Sequence, residues 1–420
     1  MDDQFPKDEN SAKVDYVVPE SGPGEEAVRF NAKAQQDEFL AGGSSTTNME
    51  GKTEIQEPQQ GALKPENQSL EITETSWLGR LRDRFNGVFR KKQDKESLMG
   101  GPKISVDIFF SPHGSAKDWR ELPEKFRNCD IYIPEAIGYD KEYLNILKGL
   151  SSGKIRLEDI EKFTDEVEKN PVIRERNKLF ARMIYNSKKP ITFIDLPESH
   201  QKTENSDNLL SQGFKFGDFP QTLESLKKSF LDFHYSNRER EEYMVTQLGP
   251  QVEAILKANP NLKRKEEIRV LLSLGAEHTP LYHSLKKENA QITREFSSSP
   301  FVYPFGGEII RRYAFGRTVD DQLLGRALTE MLLDRAFGPE FQQITEYDSE
   351  KTMRLERRLI SPFSQVELKN IFEGASNFNE WPRLFVSELS KKGLRIPYSK
   401  EEVDELLAKP LMPQDKTPQL

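Results

Sequence analysis

Histidine and carboxylate side chains follow several apolar runs of this sequence, each at the point where the run ends. They are His113 after residues 103–110, Glu135 after 130–134, Asp195 at the end of 189–195, and His278 after 268–274. If these runs are parallel strands, their carboxyl ends share one edge of a sheet, where open α/β proteins bind ligands. Imidazole and carboxylate groups are suitable ligands for a divalent metal ion that activates water. The pattern therefore predicts a metal site made of these four residues.

Each of these residues also has a simpler interpretation when it is considered alone. A histidine after a strand is often a hydrogen-bonded loop residue, which applies to both His113 and His278. Asp195 is followed by Leu-Pro and can form a turn or cap a helix, whereas Glu135 can mark where a buried strand reaches water. The metal-site prediction depends on all four lying at the same edge.

The segment around His278 has its own turn chemistry. Gly275 permits a tight turn from strand to helix, Thr279 suits the N-cap, and Pro280 suits the first helical position. The positive end of the helix dipole then favours a neutral, metal-binding imidazole at His278. His283 lies further along that helix, and we interpret it as structural.

The elements that must position these residues alternate between strands and helices. Apolar runs predict strands at 103–110, 130–134, 189–195, 268–274 and 290–296, and helical patterns fall at 139–150, 158–168, 171–187, 220–247 and up to 258. Such alternation predicts an α/β fold with a mostly parallel sheet flanked by helices and helical insertions, over residues 100–300. From about 317 the apolar residues Val319, Leu323, Leu324, Ala327, Leu328, Met331 and Leu332 share one helical face, so 301–420 is predicted to be a helical C-terminal region.

The N-terminal part differs from this body in charge. Residues 1–76 contain 16 acids and 6 bases with little periodicity, which predicts a disordered acidic leader. Residues 77–92 place Trp77, Leu81, Phe85, Val88 and Phe89 on one face and basic residues on the other, so 77–99 is predicted to be a basic amphipathic helix and linker. This helix can bind an anionic membrane surface or an acidic protein partner, or fold back on the body.

Composition excludes several classes of protein. No apolar stretch is long enough to predict a membrane-spanning helix, and the N-terminus lacks a secretory signal. The single cysteine, Cys129, forbids an internal disulfide and is interpreted as a packing residue in a strand. A net charge of -8 offers no broad basic face, so no nucleic-acid partner is expected. A cytoplasmic protein is the default expectation, with peripheral membrane association as an alternative.

The segment from Arg238 to Met244 is rich in charge. On composition alone it reads as a solvated helix face with ion pairs such as Arg238 with Glu242. The order of motifs adds a second reading. His113, Glu135, Glu239-Arg240-Glu241 with Met244, and Gly275-x-x-His278 occur along the chain in a pattern that resembles the TraB/TIKI family, over about residues 103–297. This family belongs to a larger set that includes erythromycin esterase and the haem-binding ChaN proteins.

The resemblance implies an α/β fold with a metal-dependent hydrolase site, which in TIKI members cleaves peptide bonds. His113 and His278 match the two motif histidines, and Glu135 matches the acidic residue after the second strand. Arg240 matches the helix arginine, with Glu239 before it. The implied roles are proton acceptor for Glu135 or Glu239, oxyanion stabiliser for Arg240, and metal binding at the strand ends.

Two functions follow as expectations. The first is a hydrolase of this group, using Mn, Co, Zn or Fe on a peptide or small-molecule ester substrate. The second is a catalytically silent binding or scaffold protein, which is favoured by Phe110 standing where the family has glycine, by the disordered leader and by the helical tail. Glu241 is a further departure, since the family has asparagine or aspartate at its position. ChaN-like haem or iron binding is a third possibility.

Overall fold

The computed structural model describes residues 102–112, 114–136, 141–197, 215–288, 291–297 and 302–409. Within them, four parallel strands form one sheet in the order β2-β3-β1-β4. The strands are β1 (Lys103–Ser111), β2 (Ile131–Pro134), β3 (Glu267–Gly275) and β4 (Ile292–Phe296). The α/β prediction is confirmed. The acidic leader, the basic helix at 77–99 and His113 lie outside the described residues.

Helices cover the sheet and form the whole C-terminal part of the described chain. They are α1 (Ala116–Asn128), α2 (Lys141–Ser152), α3 (Leu157–Val167), α4 (Pro171–Ile184), α5 (Phe219–Ala258), α6 (Pro260–Lys263), α7 (Thr279–Glu288), α8 (Phe305–Ala314), α9 (Asp321–Ile344), α10 (Ser349–Ile360), α11 (Gln365–Gly374), α12 (Trp381–Lys391) and α13 (Lys400–Ala408). None of the helices in the described ranges is long and apolar enough to cross a membrane.

The predicted strand at 189–195 is wrong, because this segment makes only one β-bridge, between Ile191 and Tyr132 of β2. The Tyr132 N–H donates to the Pro190 carbonyl at 3.0 Å, and the Thr192 N–H donates to the Tyr132 carbonyl at 3.3 Å. Pro190 has no N–H to donate, and Lys188, two residues earlier, has a positive φ of 58°. The backbone therefore enters the sheet for one residue and leaves it, with Asp195 beyond the bridge.

Side chains on the two faces of the sheet enter different apolar clusters. Ile108 and Phe110 of β1 pack on one face with α5, whereas Phe109 packs on the other with α1. This alternation is what a strand covered on both faces requires, because successive side chains point to opposite sides. Cys129 belongs to the second cluster, and its buried thiol donates to the Phe126 carbonyl at 3.2 Å. Burial raises the pKa of this thiol to about 11, as expected for a packing residue.

Helix α5 joins the sheet to the helical region. It begins after Asp218, whose side chain accepts from the Gln221 N–H, and continues for 40 residues through Pro250. Its first part packs Leu223 and Phe230 into the helical core, and its last part packs Val252 against the sheet. The sequence pattern indicated two helices here, and the structure has one. A division into units at residue 300 stays a prediction, although α5 contributes to the cores on both sides of it.

The helical C-terminal region is confirmed. Buried side chains of α9, including Leu323, Leu324, Ala327, Leu328 and Leu332, pack with residues of α8 and α10–α13, while Met331 and Val319 are partly buried at the border of this core. These are the residues that the apolar periodicity placed on one face.

Candidate functional site

Glu135 is fixed where β2 ends beside β3. Its backbone N–H donates to the Ser273 carbonyl at 2.8 Å, which continues the parallel pairing one residue beyond β2. Its carboxylate Oε2 accepts the backbone N–H of Gly275, the last residue of β3. The carboxylate is thereby held over the carboxyl edge of the sheet with 6% of its side chain exposed.

Arg240 of α5 binds two carboxylates beneath the surface. Its Nε and Nη2 donate to the two oxygens of Asp195 at 2.7 and 2.5 Å, and Nη2 also donates to Glu135 Oε1 at 2.6 Å. Burial by itself lowers the pKa of Arg240, but attraction to Asp195 and Glu135 outweighs it and raises the pKa. Arg240 is therefore no part of a solvated face, unlike its neighbour Arg238, which pairs with Glu242 at 3.1 Å near the surface as predicted.

His278 lies between two carboxylates and has no exposed surface. Its Nε2 is 3.1 Å from Glu135 Oε1, and its Nδ1 is 3.2 Å from Glu241 Oε1. Burial and the charge of Arg240 lower the pKa of His278, whereas Glu135 and Glu241 raise it, and the net result is a pKa of about 10. In this arrangement the two carboxylates outweigh the helix N-terminus and favour the protonated imidazole, and the neutral, metal-binding form stays a prediction for a site with bound metal.

The turn that carries His278 also differs from its prediction. Residues Ala276–His278 form a 3-10 turn that leads directly into α7. Thr279 donates its hydroxyl to the Ala276 carbonyl at 2.7 Å and lies 3.0 Å from the Tyr303 hydroxyl, so its side chain fixes the turn from within. The prediction that Thr279 is an N-cap is wrong, since the preceding turn already satisfies the start of α7.

Glu135, Glu277 and His278 could hold a metal ion, because each offers a ligand atom and these atoms lie within 4.8 Å of one another. Glu277 was not among the predicted ligands, although it directly precedes His278 and a carboxylate next to a candidate ligand is a signal that sequence reasoning could have used. Asp195 does not belong to this group, and both of its oxygens bind Arg240.

The remaining predicted residues are placed differently. Glu239 is exposed on α5, while Glu241 has 13% of its side chain exposed and reaches His278. Glu241 thus has the contact with the site that was expected of Glu239. His283 contacts Phe315 and Arg294 instead of the cluster. Phe110, which stands where the family has glycine, is fully buried in the apolar cluster with α5.

Charge and access together define what this cluster can do. With His278 protonated, the cluster contains two cations, Arg240 and His278, and three carboxylates, Glu135, Asp195 and Glu241. Glu277 is a fourth carboxylate, so carboxylates outnumber cations. The excess negative charge beside a buried imidazole suits a divalent cation that displaces the histidine proton. Glu135, Glu241 and Glu277 are all partly exposed residues, whereas His278 is fully buried, so an incoming ion or ligand meets carboxylates before it meets the imidazole.

Comparison of the chain with protein-family models, with curated proteins and with solved structures found no match. The TraB/TIKI assignment therefore stays a prediction from the order of the motifs.

Proposed function

We propose that this protein is a metal-dependent hydrolase-like protein of the TraB/TIKI group that acts on a peptide or ester bond. The observation that carries the proposal is the convergence of Glu135, Glu277 and His278 at the carboxyl edge of the sheet. Two carboxylates and one imidazole match the donor preferences of Mn, Co, Zn and Fe ions. Buried Arg240 places a fixed positive charge directly beside these donors.

A bound divalent ion would supply Lewis acidity and a more acidic bound water. The chain's own residues have separate tasks. Arg240 holds the Glu135 carboxylate in one orientation and can stabilise negative charge that develops on a ligand. Glu241 accepts from Nδ1 of His278, which leaves Nε2 directed at Glu135. Glu277 is a partly exposed carboxylate that would contribute a ligand oxygen to the ion, together with Glu135 and His278.

Metal binding tests the proposal directly. We expect calorimetric titration with Co²⁺ or Mn²⁺ to give about one equivalent, with affinity that rises as the pH is raised from 6.5 to 8.5 because the ion must displace the His278 proton. His278→Ala and the partly exposed Glu277→Gln should each weaken binding about tenfold or more. His283→Ala is the matched control and should bind like the wild type. Equal affinity in all four proteins would contradict the proposal.

A second candidate function is a catalytically silent binding protein, and the closure of the cluster favours it. His278 has no exposed surface, and both of its nitrogens already face carboxylates. Metal uptake without hydrolysis of any ester or peptide in a substrate screen would support this candidate. The same enclosure makes His278 a poor haem ligand, and an absorbance titration with haem tests that. Membrane or acidic-partner binding through 77–92 stays a prediction, which liposome co-sedimentation with and without this segment tests.

A further inference from the structure

Asn237 is a buried polar residue on the face of α5 that carries the site. It lies one helical turn before Arg240 and Glu241, and only 7% of it is exposed. Its side-chain nitrogen Nδ2 is buried and has no hydrogen-bond partner in the described part of the chain. Most buried polar groups in proteins are paired, so an unpaired amide beside a candidate site needs an explanation.

The position of Asn237 follows from the direction of α5. The helix ends at Ala258, and a short connection leads to the start of β3 at Glu267, so α5 runs antiparallel to the strands. Arg240 lies at the level of the carboxyl edge, since it contacts Glu135. Asn237 is therefore about 5 Å further along the axis, beyond the ends of the strands. Ligands of open α/β sheets bind in this crevice.

Helical side chains lean toward the N-terminus of their helix, which also directs Asn237 away from the apolar core below Arg240. Met244 and Leu248 continue the same face toward the amino edge of the sheet and are buried among apolar residues. The face thus changes from apolar contacts at the sheet to ion pairs at the strand ends and then to an unpaired amide beyond them.

We propose that Asn237 is a ligand-binding residue whose amide N–H donates to an acceptor oxygen of the ligand held at Glu135, Glu277 and His278. An amide N–H is neutral, so it binds a carbonyl-type oxygen of an amide, ester or hydroxamate without adding charge to a site that already contains Arg240. This inference rests on the proposed function, because the ligand must bind at the same group of residues.

Acetohydroxamate is a suitable probe, because it binds divalent metal ions through two oxygens and resembles an amide. Full-length protein is loaded with Co²⁺ and titrated with acetohydroxamate, and the visible absorption of the cobalt is followed. We expect Asn237→Leu and Asn237→Ala to bind Co²⁺ like the wild type and to bind acetohydroxamate about five- to tenfold more weakly, since one hydrogen bond to the probe is lost.

Gln251→Leu provides a matched control, because Gln251 is also an amide on α5 but accepts from the Thr192 hydroxyl at 3.0 Å. It should leave acetohydroxamate affinity unchanged and lower the urea midpoint, because it leaves Thr192 without that partner. Asn237→Leu should leave the midpoint unchanged or raise it, since an unpaired buried amide is replaced by an apolar group of similar size.

The outcomes separate the two proposals. Wild-type binding of Co²⁺ with equal acetohydroxamate affinity in the Asn237 variants overturns the role of Asn237 and leaves the metal site intact. Failure of the wild type to bind Co²⁺ overturns the proposed function and this inference with it. A lower urea midpoint for both Asn237 variants, with acetohydroxamate affinity unchanged, assigns Asn237 to folding and also overturns the inference.

Discussion

Buried charge is handled in opposite ways at the sheet edge and in the helical region. At the sheet edge, Arg240 and His278 pair with three carboxylates, and the pKa values of both cations are raised. In the helical region, Glu330 of α9 and Glu356 of α10 are buried next to Asp334 of α9, which is partly buried. Burial raises the pKa of Glu330 to about 7 and that of Asp334 to about 6. Burial, with repulsion from Asp334 and Glu330, raises the pKa of Glu356 well above its ordinary value.

The difference is one of available partners. Attraction to Arg357 lowers the pKa of Glu330, but the Arg357 side chain donates its hydrogen bonds to the Tyr303 carbonyl and to Glu308, at 2.8 and 3.1 Å. Glu330 accepts the N–H groups of Phe305 and Gly306 at the start of α8 instead. Burial is the main cause of the raised pKa values in the acidic group and favours the protonated acids there. At the sheet edge, Asp195 and Glu135 instead form ion pairs with Arg240. A divalent ion is attracted to fixed negative charge, so the sheet edge is the better candidate for ligand chemistry.

In both regions, the contribution of these groups to the stability of the folded protein falls as the pH rises. A group whose pKa is raised on folding stabilises the folded state below its unfolded pKa and loses that contribution as the pH rises. Glu330 and Asp334 lose this stabilising contribution between about pH 4, near their unfolded pKa values, and about pH 6 to 7, near their folded pKa values. His278 loses it later, from its unfolded value near 6.5 to about 10.

The largest effect is expected from Arg240→Met. This change leaves Asp195 and Glu135 buried without their cation, which should lower the free energy of unfolding by about 3–5 kcal/mol. Urea denaturation at pH 7 measures it. Arg238→Met is the control, because its exposed pair with Glu242 should contribute no more than about 0.5 kcal/mol. If the two variants lost similar amounts of unfolding free energy, the buried ion pairs of Arg240 would contribute no more than the surface pair of Arg238, and the comparison would fail.

Glu356→Gln tests the acidic group. Glutamine resembles the protonated acid, so the variant should match the wild type at pH 5 and be more stable by about 1–3 kcal/mol at pH 8, where the wild-type acid is forced toward ionisation. Urea denaturation at both pH values is the measurement, with exposed Glu340→Gln as the control. A variant that is less stable than the wild type at pH 8 would show that Glu356 acts as a paired anion.

A smaller effect is expected from Glu241→Gln. The amide oxygen can still accept from His278 Nδ1, but the charge is lost, so the free energy of unfolding at pH 7 should fall by about 1 kcal/mol. The pKa of His278, followed by NMR of the ring, should fall as well because Glu241 helps to raise it. An unchanged His278 pKa would assign its whole upward shift to Glu135.

Sequence reasoning was most successful where local pattern determines structure. The four strands follow apolar runs, and the apolar face that begins at Leu323 packs in the helical core. It failed at 189–195, where Pro190 cannot donate to the ladder and the segment makes one bridge. It also failed at α5, where the pattern was divided at about residue 247 and the structure has one helix that packs in both cores. Such outcomes depend on tertiary contacts that no local window contains.

For the candidate site, strand ends located Glu135 and His278, and the helix motif located Arg240. Glu277 and Asn237 were missed because their relevance depends on which helix faces the sheet edge and at which level. The acidic group of Glu330, Asp334 and Glu356 was missed for a similar reason, since its members belong to two helices and look like surface residues in the sequence.

The long helix α5 has a consequence for how such a protein can change over generations. Leu223 and Phe230 pack in the helical core and Val252 packs against the sheet, and all three belong to this one continuous helix. A genetic exchange that joined residues 1–300 to a foreign C-terminal half would leave the first half of α5 facing water with its apolar side chains uncovered. The two parts are therefore expected to be inherited together, and a successful recombinant must carry matching changes along Phe219–Phe230.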